Sequence, residues 1–437
     1  MSPASSLPIY ETCGWPRPDA VGVAERLYAA LREAGMSDVP ERFTIAPLHQ
    51  EVPRATLAEI DTFIRVFDAV TTRPRWQDAV TAASPEIARA RRSETSFFSA
   101  WDFHIPPDPA EPCQLIECND NGSGLMFAAL LNQHYCEISN DERIRSIELP
   151  ITYSAFEQRI VEMIRGEASA FFGSPMAQAG GLVLVLDDAD SLGTGRFRNE
   201  LVLLRDLCRR AGWSSEVGTP SELRWDGRHL LLSARDAPVA FVVNRSTDFF
   251  FEAEELSALR SAYAAGSVYI APNPFTYATR SDKRLLELLS SGARDAELGI
   301  RAEERAILSA HVPETHVLGP ENVDELALGR DDLFFKPAHG FASHGLLGGA
   351  QVGRTRLRRL LAKGESYVAQ RRAPKPRLET KDGVSLWADL RVWAYRGERF
   401  LMSGRASREP DRLDLSPPGG WLPTYALTRP AGAEAPG

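Results

Sequence analysis

The sequence predicts a mixed α/β (α+β) protein, and three observations predict it. Residues 182–273 alternate apolar runs with an amphipathic stretch: LVLVLD (182–187), FRNELVLLRDLCRRAG, VAFVVN (239–244) and SVYIAPN (267–273). Strand, helix and strand joined by short links describe a parallel sheet covered by helices. From Ser281 the pattern changes to DLFFKPA, SYVAQRR, SLWADLRVWAY and RFLMSGRAS, which reads as an antiparallel sheet with helices. Residues 20–95 space apolar side chains at three and four, as in AVGVAERLYAALREAG and ATLAEIDTFIRVFDAVTT. That period predicts helices, with Gly35 closing the first.

The remaining elements follow in chain order. FFSAWDFHI (97–105) and QLIECN (114–119) flank the Pro-rich PPDPAEP and predict a β-hairpin. Gly212 ends the helix after LVLVLD. SDKRLLELL (281–289) predicts a helix capped by Ser281. RTRLRRLLAK (354–363) reads as a solvated helix face, and the tail TRPAGAEAPG as a segment without fixed structure. No internal repeat is visible.

The chain has 437 residues, of which 43% are hydrophobic and 25% charged, the balance of a soluble globular protein of two to four domains. No apolar run reaches the roughly 18–20 residues of a membrane span. The N-terminal stretch lacks the basic start and apolar core of a secretory signal, so a cytoplasmic location is expected, with no membrane partner. Five cysteines form no CxxC pair, which suits a reducing compartment and argues against structural zinc. The net charge of −9 argues against a general nucleic-acid binder. It is unevenly placed, however: residues 331–437 carry +7 and the first 330 carry −16. Solvated helix faces would explain this, and so would a small polyanion such as a nucleoside triphosphate.

Four constellations could carry chemistry. If Ile105 pairs with Gln114, Asp102 falls opposite Glu117, and Glu117 and Asn119 share a strand face. Two facing carboxylates repel unless a cation lies between them, and with an amide oxygen they form a hard oxygen site suited to Mg²⁺. A chance surface cluster is the alternative. Asn121-Gly122-Ser123-Gly124 follows and would let backbone approach a ligand. In DLFFKPAHGFASHG (332–345), an apolar strand delivers Lys336 to a loop with Gly340 and Gly345, whose N–H groups could cradle phosphates. Lys283 and Arg284 lie in a predicted first helical turn, where the dipole disfavours cations, so they are either exposed or facing an anion. In ADLRVWAYRGERFLMSGRASR (388–408), Asp389 and Arg391 share a strand face and a return strand carries Arg405. The arginines could hold a phosphoryl group or a carboxylate, or bridge across strands to Asp389.

Together these motifs resemble the ATP-grasp superfamily. There a strand Lys precedes a Gly-rich phosphate lid, followed by a hinge strand, a D-x-R strand and an Arg-bearing strand. SYVAQRR (366–372) is similar to the hinge, DLR (389–391) to the next strand, SGRASR (403–408) to the one after, and RLDLSPPGG (412–420) to the stretch that follows. The magnesium elements, WDF (101–103) and IECNDNGSG (116–124), come before the lysines here. That order resembles the circularly permuted ATP-grasp proteins, among them glutathionylspermidine synthetase-like and uncharacterised bacterial ones, to which residues 244–266 are also similar. The chain departs from them in His344, where a basic residue is common, and in lacking a fused amidase domain.

The resemblance, covering roughly residues 97–425, implies a permuted ATP-grasp fold with a Rossmann-like pre-ATP-grasp α/β layer. It divides the chain into an N-terminal helical region (1–95), a permuted segment with metal ligands (96–150), the α/β domain (151–278) and the lysine, lid, hinge and Arg strands (279–437). It implies ATP and Mg²⁺ as cofactors. Asp102, Glu117 and Asn119 would be metal ligands, and Lys283, Lys336, Gly340, Ser343, Gly345, Gln370 and Arg371 would bind nucleotide. Arg391 and Arg405 would be catalytic. The activity implied is carboxylate–amine ligation through an acyl phosphate, with a small-molecule or peptide carboxylate and an amine as partners. A phosphotransferase or a non-catalytic nucleotide binder is the alternative, the latter disfavoured because all three candidate metal ligands are present.

Overall fold

Apolar spacing in the first hundred residues produces three helices: α1 (Ala20–Glu33), α2 (Arg54–Thr71) and α3 (Pro74–Ala82). The computed structural model describes residues 20–427 apart from 42, 47, 91–95, 98, 109, 140–151, 175–180, 196, 340–344 and 380–384. Gly35 follows α1 with φ +101°, a left-handed value that suits glycine, and thus closes the helix as expected. α2 buries Leu57, Ile60, Phe63, Ile64, Phe67 and Val70 in one cluster with Trp101 and Phe103. Each such side chain contributes about 1.5–3 kcal/mol on burial. β1 (Gln50–Pro53) precedes α2 and pairs in parallel with β18 (Thr424–Leu427), joining the two ends of the described chain.

The predicted hairpin is β2 (Ser99–His104) and β3 (Gln114–Asn119). Its register departs from expectation at the turn: His104, rather than Ile105, lies opposite Gln114. An irregularity then leaves Ile116 as an extra residue between the pairs Phe103–Leu115 and Asp102–Glu117, which restores the expected pairing of the two carboxylates. After the hairpin, helix α4 (Leu125–Ile138) starts at Gly124. Gly124 has φ +93°, and a Cβ there would lie 2.5 Å from the Trp421 ring, so no other residue fits without rearrangement.

The continuous apolar run at 182–186 becomes β4 (Leu182–Leu186), the centre of a second sheet. β5 (Ser215–Gly218), β4, β8 (Ala237–Asn244) and β9 (Tyr269–Ala271) are parallel, and the apolar runs of β4, β8 and β9 are those of strands buried on both faces. Val183, Val185 and Phe241 join the core around α4, whereas Leu182, Leu184 and Leu186 face helix Ser257–Ala265. The antiparallel strands β6 (Leu223–Trp225) and β7 (Leu230–Leu232) extend this sheet. Their three-residue length gives too few alternations to read in sequence.

The last third forms two antiparallel groups. β10 (Thr315–Val317), β11 (Leu333–Pro337), β12 (Leu347–Gly348) and β13 (Tyr367–Arg371) make a four-stranded sheet in the order β10-β13-β11-β12. Helices Val323–Leu328 and Arg354–Ala362 cover it through Leu326, Ala327 and Leu357 against Phe335 and Ala369. β14 (Arg377–Glu379), β15 (Ser385–Tyr395), β16 (Glu398–Ser407) and β17 (Gly420–Leu422) form another sheet, and β2 and β3 complete it in the order β17-β16-β15-β2-β3. A hairpin from the first third of the chain thus lies beside strands from its end.

Ser281 does not cap a helix. It closes a π-helical turn, Tyr277–Ser281, and the α-helix starts only at Leu285. Asp282 accepts from the Arg284 backbone and side chain, a local competition that takes 282–284 out of the helix. Lys283 therefore precedes the helix, and the conflict with the dipole does not arise. The expected tail, 428–437, lies outside the described residues.

One buried ion pair joins two of these layers. Glu200, on helix Arg198–Arg210, pairs with Arg245 at the end of β8 at 2.6 Å, with side chains 0% and 1% exposed. Its carboxylate also accepts the backbone N–H groups of Gly124 and Met126 at 3.0 Å each, capping α4. Glu200→Gln removes the charge that compensates Arg245. The expected cost is about 3–5 kcal/mol, read as a lower urea midpoint at unchanged m-value.

Candidate active site

The bulge at Ile116 frees its carbonyl from the ladder, and Lys336 Nζ, arriving from β11, lies 3.4 Å from it. Lys336 also donates to Gln370 Oε1 on neighbouring β13. Gln370 pairs with Phe334, two residues from Lys336, so strand alternation puts both side chains on one face. From the other side, Lys283 Nζ comes within 3.5 Å of Glu117 Oε2. Two lysines from separate segments thus converge on the bulged strand.

Asp102 lies across from Glu117 on one side and from Arg391 on the other, because β2 is paired with both β3 and β15. Arg391 donates Nε to Asp102 Oδ1 at 2.6 Å and Nη2 to Oδ2 at 2.7 Å, the bidentate geometry that suits guanidinium and carboxylate. Arg405 Nη2 reaches the same Oδ2 at 3.0 Å. Arg405 further pairs bidentately with Asp389, its cross-strand neighbour, at 2.9 and 2.7 Å, the bridge the sequence allowed as an alternative. Asn119 turns its Nδ2 toward Glu117 Oε1 at 3.1 Å and Asp102 Oδ2 at 3.4 Å. Its Oδ1 has no hydrogen-bond partner among the described residues.

The charges shift accordingly. Burial lowers the Lys336 ammonium to about 8, with Glu117 opposing and Lys283 adding to the fall. Burial pushes the Glu117 carboxyl up, but Lys283 and then Lys336 outweigh it, holding the group below the usual carboxylate range. Burial likewise opposes ionisation of Asp102, and Arg391 and Arg405 overcome it. The site is a compact set of four basic side chains, Lys283, Lys336, Arg391 and Arg405, around three carboxylates, Asp102, Glu117 and Asp389.

This donor set fits a hard cation. Glu117 offers a partly exposed carboxylate and Asn119 a free amide oxygen. Asp102 has about four lone-pair sites; two arginine N–H groups and Asn119 Nδ2 crowd Oδ2 and one arginine N–H takes Oδ1, so it contributes at most one, on Oδ1.

Arg371 alternates to the opposite face from Gln370, is exposed, and lines a cavity with Glu111 and Gln114. Gly345 has φ +73°, with the Pro337 ring where a Cβ would sit. Gly340, Ser343 and His344 lie outside the described residues. His104 escaped the sequence reading. It is buried two residues from Asp102, donates Nδ1 to the Ala373 carbonyl at 3.0 Å, and burial favours its neutral form. The alternation of β2 from Asp102 was the signal that could have found it.

No protein-family model matches the sequence, and no curated protein matches it. Solved structures are similar to this chain, among them the following two. One is a glutathione synthetase-like effector from Globodera pallida, in its apo form, with 11% identity and a TM-score of 0.55 over 95% of this chain and 100% of that one. The other is a candidate gamma-glutamylcysteine synthetase from Methylobacillus flagellatus, with 11% identity and a TM-score of 0.44 over 82% and 85%. The chain therefore shares the overall mixed helix-and-sheet fold of the first of these. No helix among the described residues is long and apolar enough to cross a membrane.

Proposed function

We propose that the chain is an ATP-dependent carboxylate–amine ligase of the circularly permuted ATP-grasp kind, with its triphosphate site between the β2–β3 hairpin and β11. The observation that carries this reading is the convergence of Lys283 and Lys336 on the strand that bears Glu117 and Asn119. A phosphate chain needs cations and a metal-binding carboxylate side by side, and a purely structural role does not require two lysines there.

Lys283 and Lys336 would contact phosphate oxygens, and Gln370 would face the base from the hinge strand. Magnesium, held by Glu117 and Asn119 with the spare lone pair of Asp102, would supply charge neutralisation between the nucleotide and the attacking carboxylate. Asp102 and Asp389 fix the guanidinium planes of Arg391 and Arg405. Arg405 Nη1 has no hydrogen-bond partner among the described residues, so it is the donor left to meet a carboxylate or transferring phosphoryl group. The substrate carboxylate attacks the γ-phosphorus and releases ADP. An amine then displaces phosphate from the acyl phosphate and loses a proton.

The reading makes sustained ADP release, beyond the first turnover, depend on both a carboxylate and an amine, which a coupled assay with each omitted in turn would show. Full release with a hydroxyl compound alone would favour a phosphotransferase. The Lys336 ammonium sets a pH dependence. Below about 8 the free enzyme carries the proton that phosphate contact requires, whereas above it the proton must be taken up on binding. ATP affinity is therefore expected to fall by up to about tenfold per pH unit above 8. Calorimetry between pH 7 and 9.5 would reveal this, and Lys336→Met should flatten the profile.

A further inference from the structure

A second cluster lies below the hairpin, away from the lysines. Cys113 immediately precedes β3, His311 ends helix Ala302–His311, and Glu59 projects from α2, which packs on that helix. The three residues are far apart in sequence, yet one ligand atom from each lies within 4.8 Å of the others. His311 Nδ1 is 3.6 Å from Cys113 Sγ and 3.5 Å from Glu59 Oε1. It is also 2.8 Å from the Cys113 carbonyl, to which it donates. Cys113 and His311 are buried, at 1% and 6% exposure, while the Glu59 side chain is 33% exposed.

The ring N–H serves the Cys113 carbonyl and Glu59 Oε1 accepts the Cys113 backbone N–H at 3.2 Å, which gathers a sulfur and two oxygens around the same ring nitrogen. A tetrahedral zinc ion with its usual bonds of about 2.0–2.3 Å would hold nitrogen, sulfur and oxygen ligands about 3.3–3.5 Å apart. The two separations from Nδ1 fall close to that. Thiolate, imidazole and carboxylate are the donors zinc prefers, whereas magnesium takes oxygen alone. Pro112, Gln114, Ala310 and Val312, the chain neighbours of Cys113 and His311, line a cavity of about 600 Å³ beside the cluster.

We propose that Cys113, His311 and Glu59 form a zinc site, with a water as fourth ligand, fastening α2 and helix Ala302–His311 to the start of β3. Binding displaces the thiol proton to solvent, moves the imidazole proton from Nδ1 to Nε2 and breaks the bond from Nδ1 to the Cys113 carbonyl, so the ring must turn away from that oxygen for Nδ1 to meet the metal. The absence of CxxC spacing did not reveal such a site because spacing rules detect ligands close in sequence. The inference is independent of the ligase reading.

The test uses the full chain purified without chelator. Elemental analysis should find about one zinc per chain, and exchange for Co²⁺ should give the intense near-ultraviolet thiolate-to-cobalt absorption. Cys113→Ser should abolish that band, and His311→Ala should weaken zinc binding against a chromogenic chelator. Glu59→Ala, at a partly exposed helix position where Ala keeps the helix, should weaken it at least about tenfold. Glu117→Gln should change none of these. Zinc well below one per chain after reconstitution with zinc alone would overturn the site, as would a cobalt spectrum or affinity indifferent to Cys113→Ser and Glu59→Ala. A hydrogen-bonded thiol would then be the whole role of the cluster.

Discussion

Glu117→Gln is expected to lower nucleotide turnover at saturating magnesium and ATP by at least about 10² while leaving the fold intact. The substitution preserves size and one side-chain oxygen but removes the charge that Lys283 pairs with and that a divalent cation would require. Glu117 is 23% exposed at the edge of its sheet, so no apolar packing is lost. Initial rates of ADP formation, with a thermal melt of each protein, would separate the two effects. Wild-type turnover in a folded variant would remove Glu117 from the site.

Lys336→Met is expected to weaken ATP binding by about 10- to 100-fold, since a hydrogen bond to a charged group contributes about 1.5–3 kcal/mol. Met keeps the length of the buried stem and leaves Gln370 Oε1 without its donor, a change local to two neighbouring strands. Lys283→Met should act in the same direction. Adenosine, which has no phosphates, should bind all three proteins alike. Titration calorimetry with ATP and adenosine would show this, and equal losses for both ligands would indicate a disturbed hinge instead.

Where an element was long and its period clean, the sequence revealed it: α2, β4, β8 and β15 all fall where apolar spacing predicts. The facing of Asp102 and Glu117 was also legible, although the expected register at the turn was off by one and the bulge at Ile116 compensated. The bulge itself left no trace, because an inserted residue in a strand of apolar and polar alternation looks like ordinary sequence. Local competition misled at Ser281, where Asp282 holds the Arg284 backbone and delays the helix. The bidentate pairing of Arg391 with Asp102 depends on β2 lying beside β15, a contact between distant segments that periodicity does not encode. The same holds for His311 meeting Cys113.

The central claim, that the site activates a carboxylate with ATP, is tested most directly by oxygen transfer. The enzyme would be incubated with Mg-ATP, a pool of small carboxylic acids labelled with ¹⁸O in the carboxyl group, and a pool of amines. Attack by carboxylate on the γ-phosphorus carries one labelled oxygen into the phosphate, and aminolysis leaves it there. The account predicts ADP, inorganic phosphate bearing one ¹⁸O, and a product equal in mass to an acid plus an amine less labelled water. Unlabelled phosphate, or phosphate transferred to a hydroxyl group with no amide formed, would contradict it.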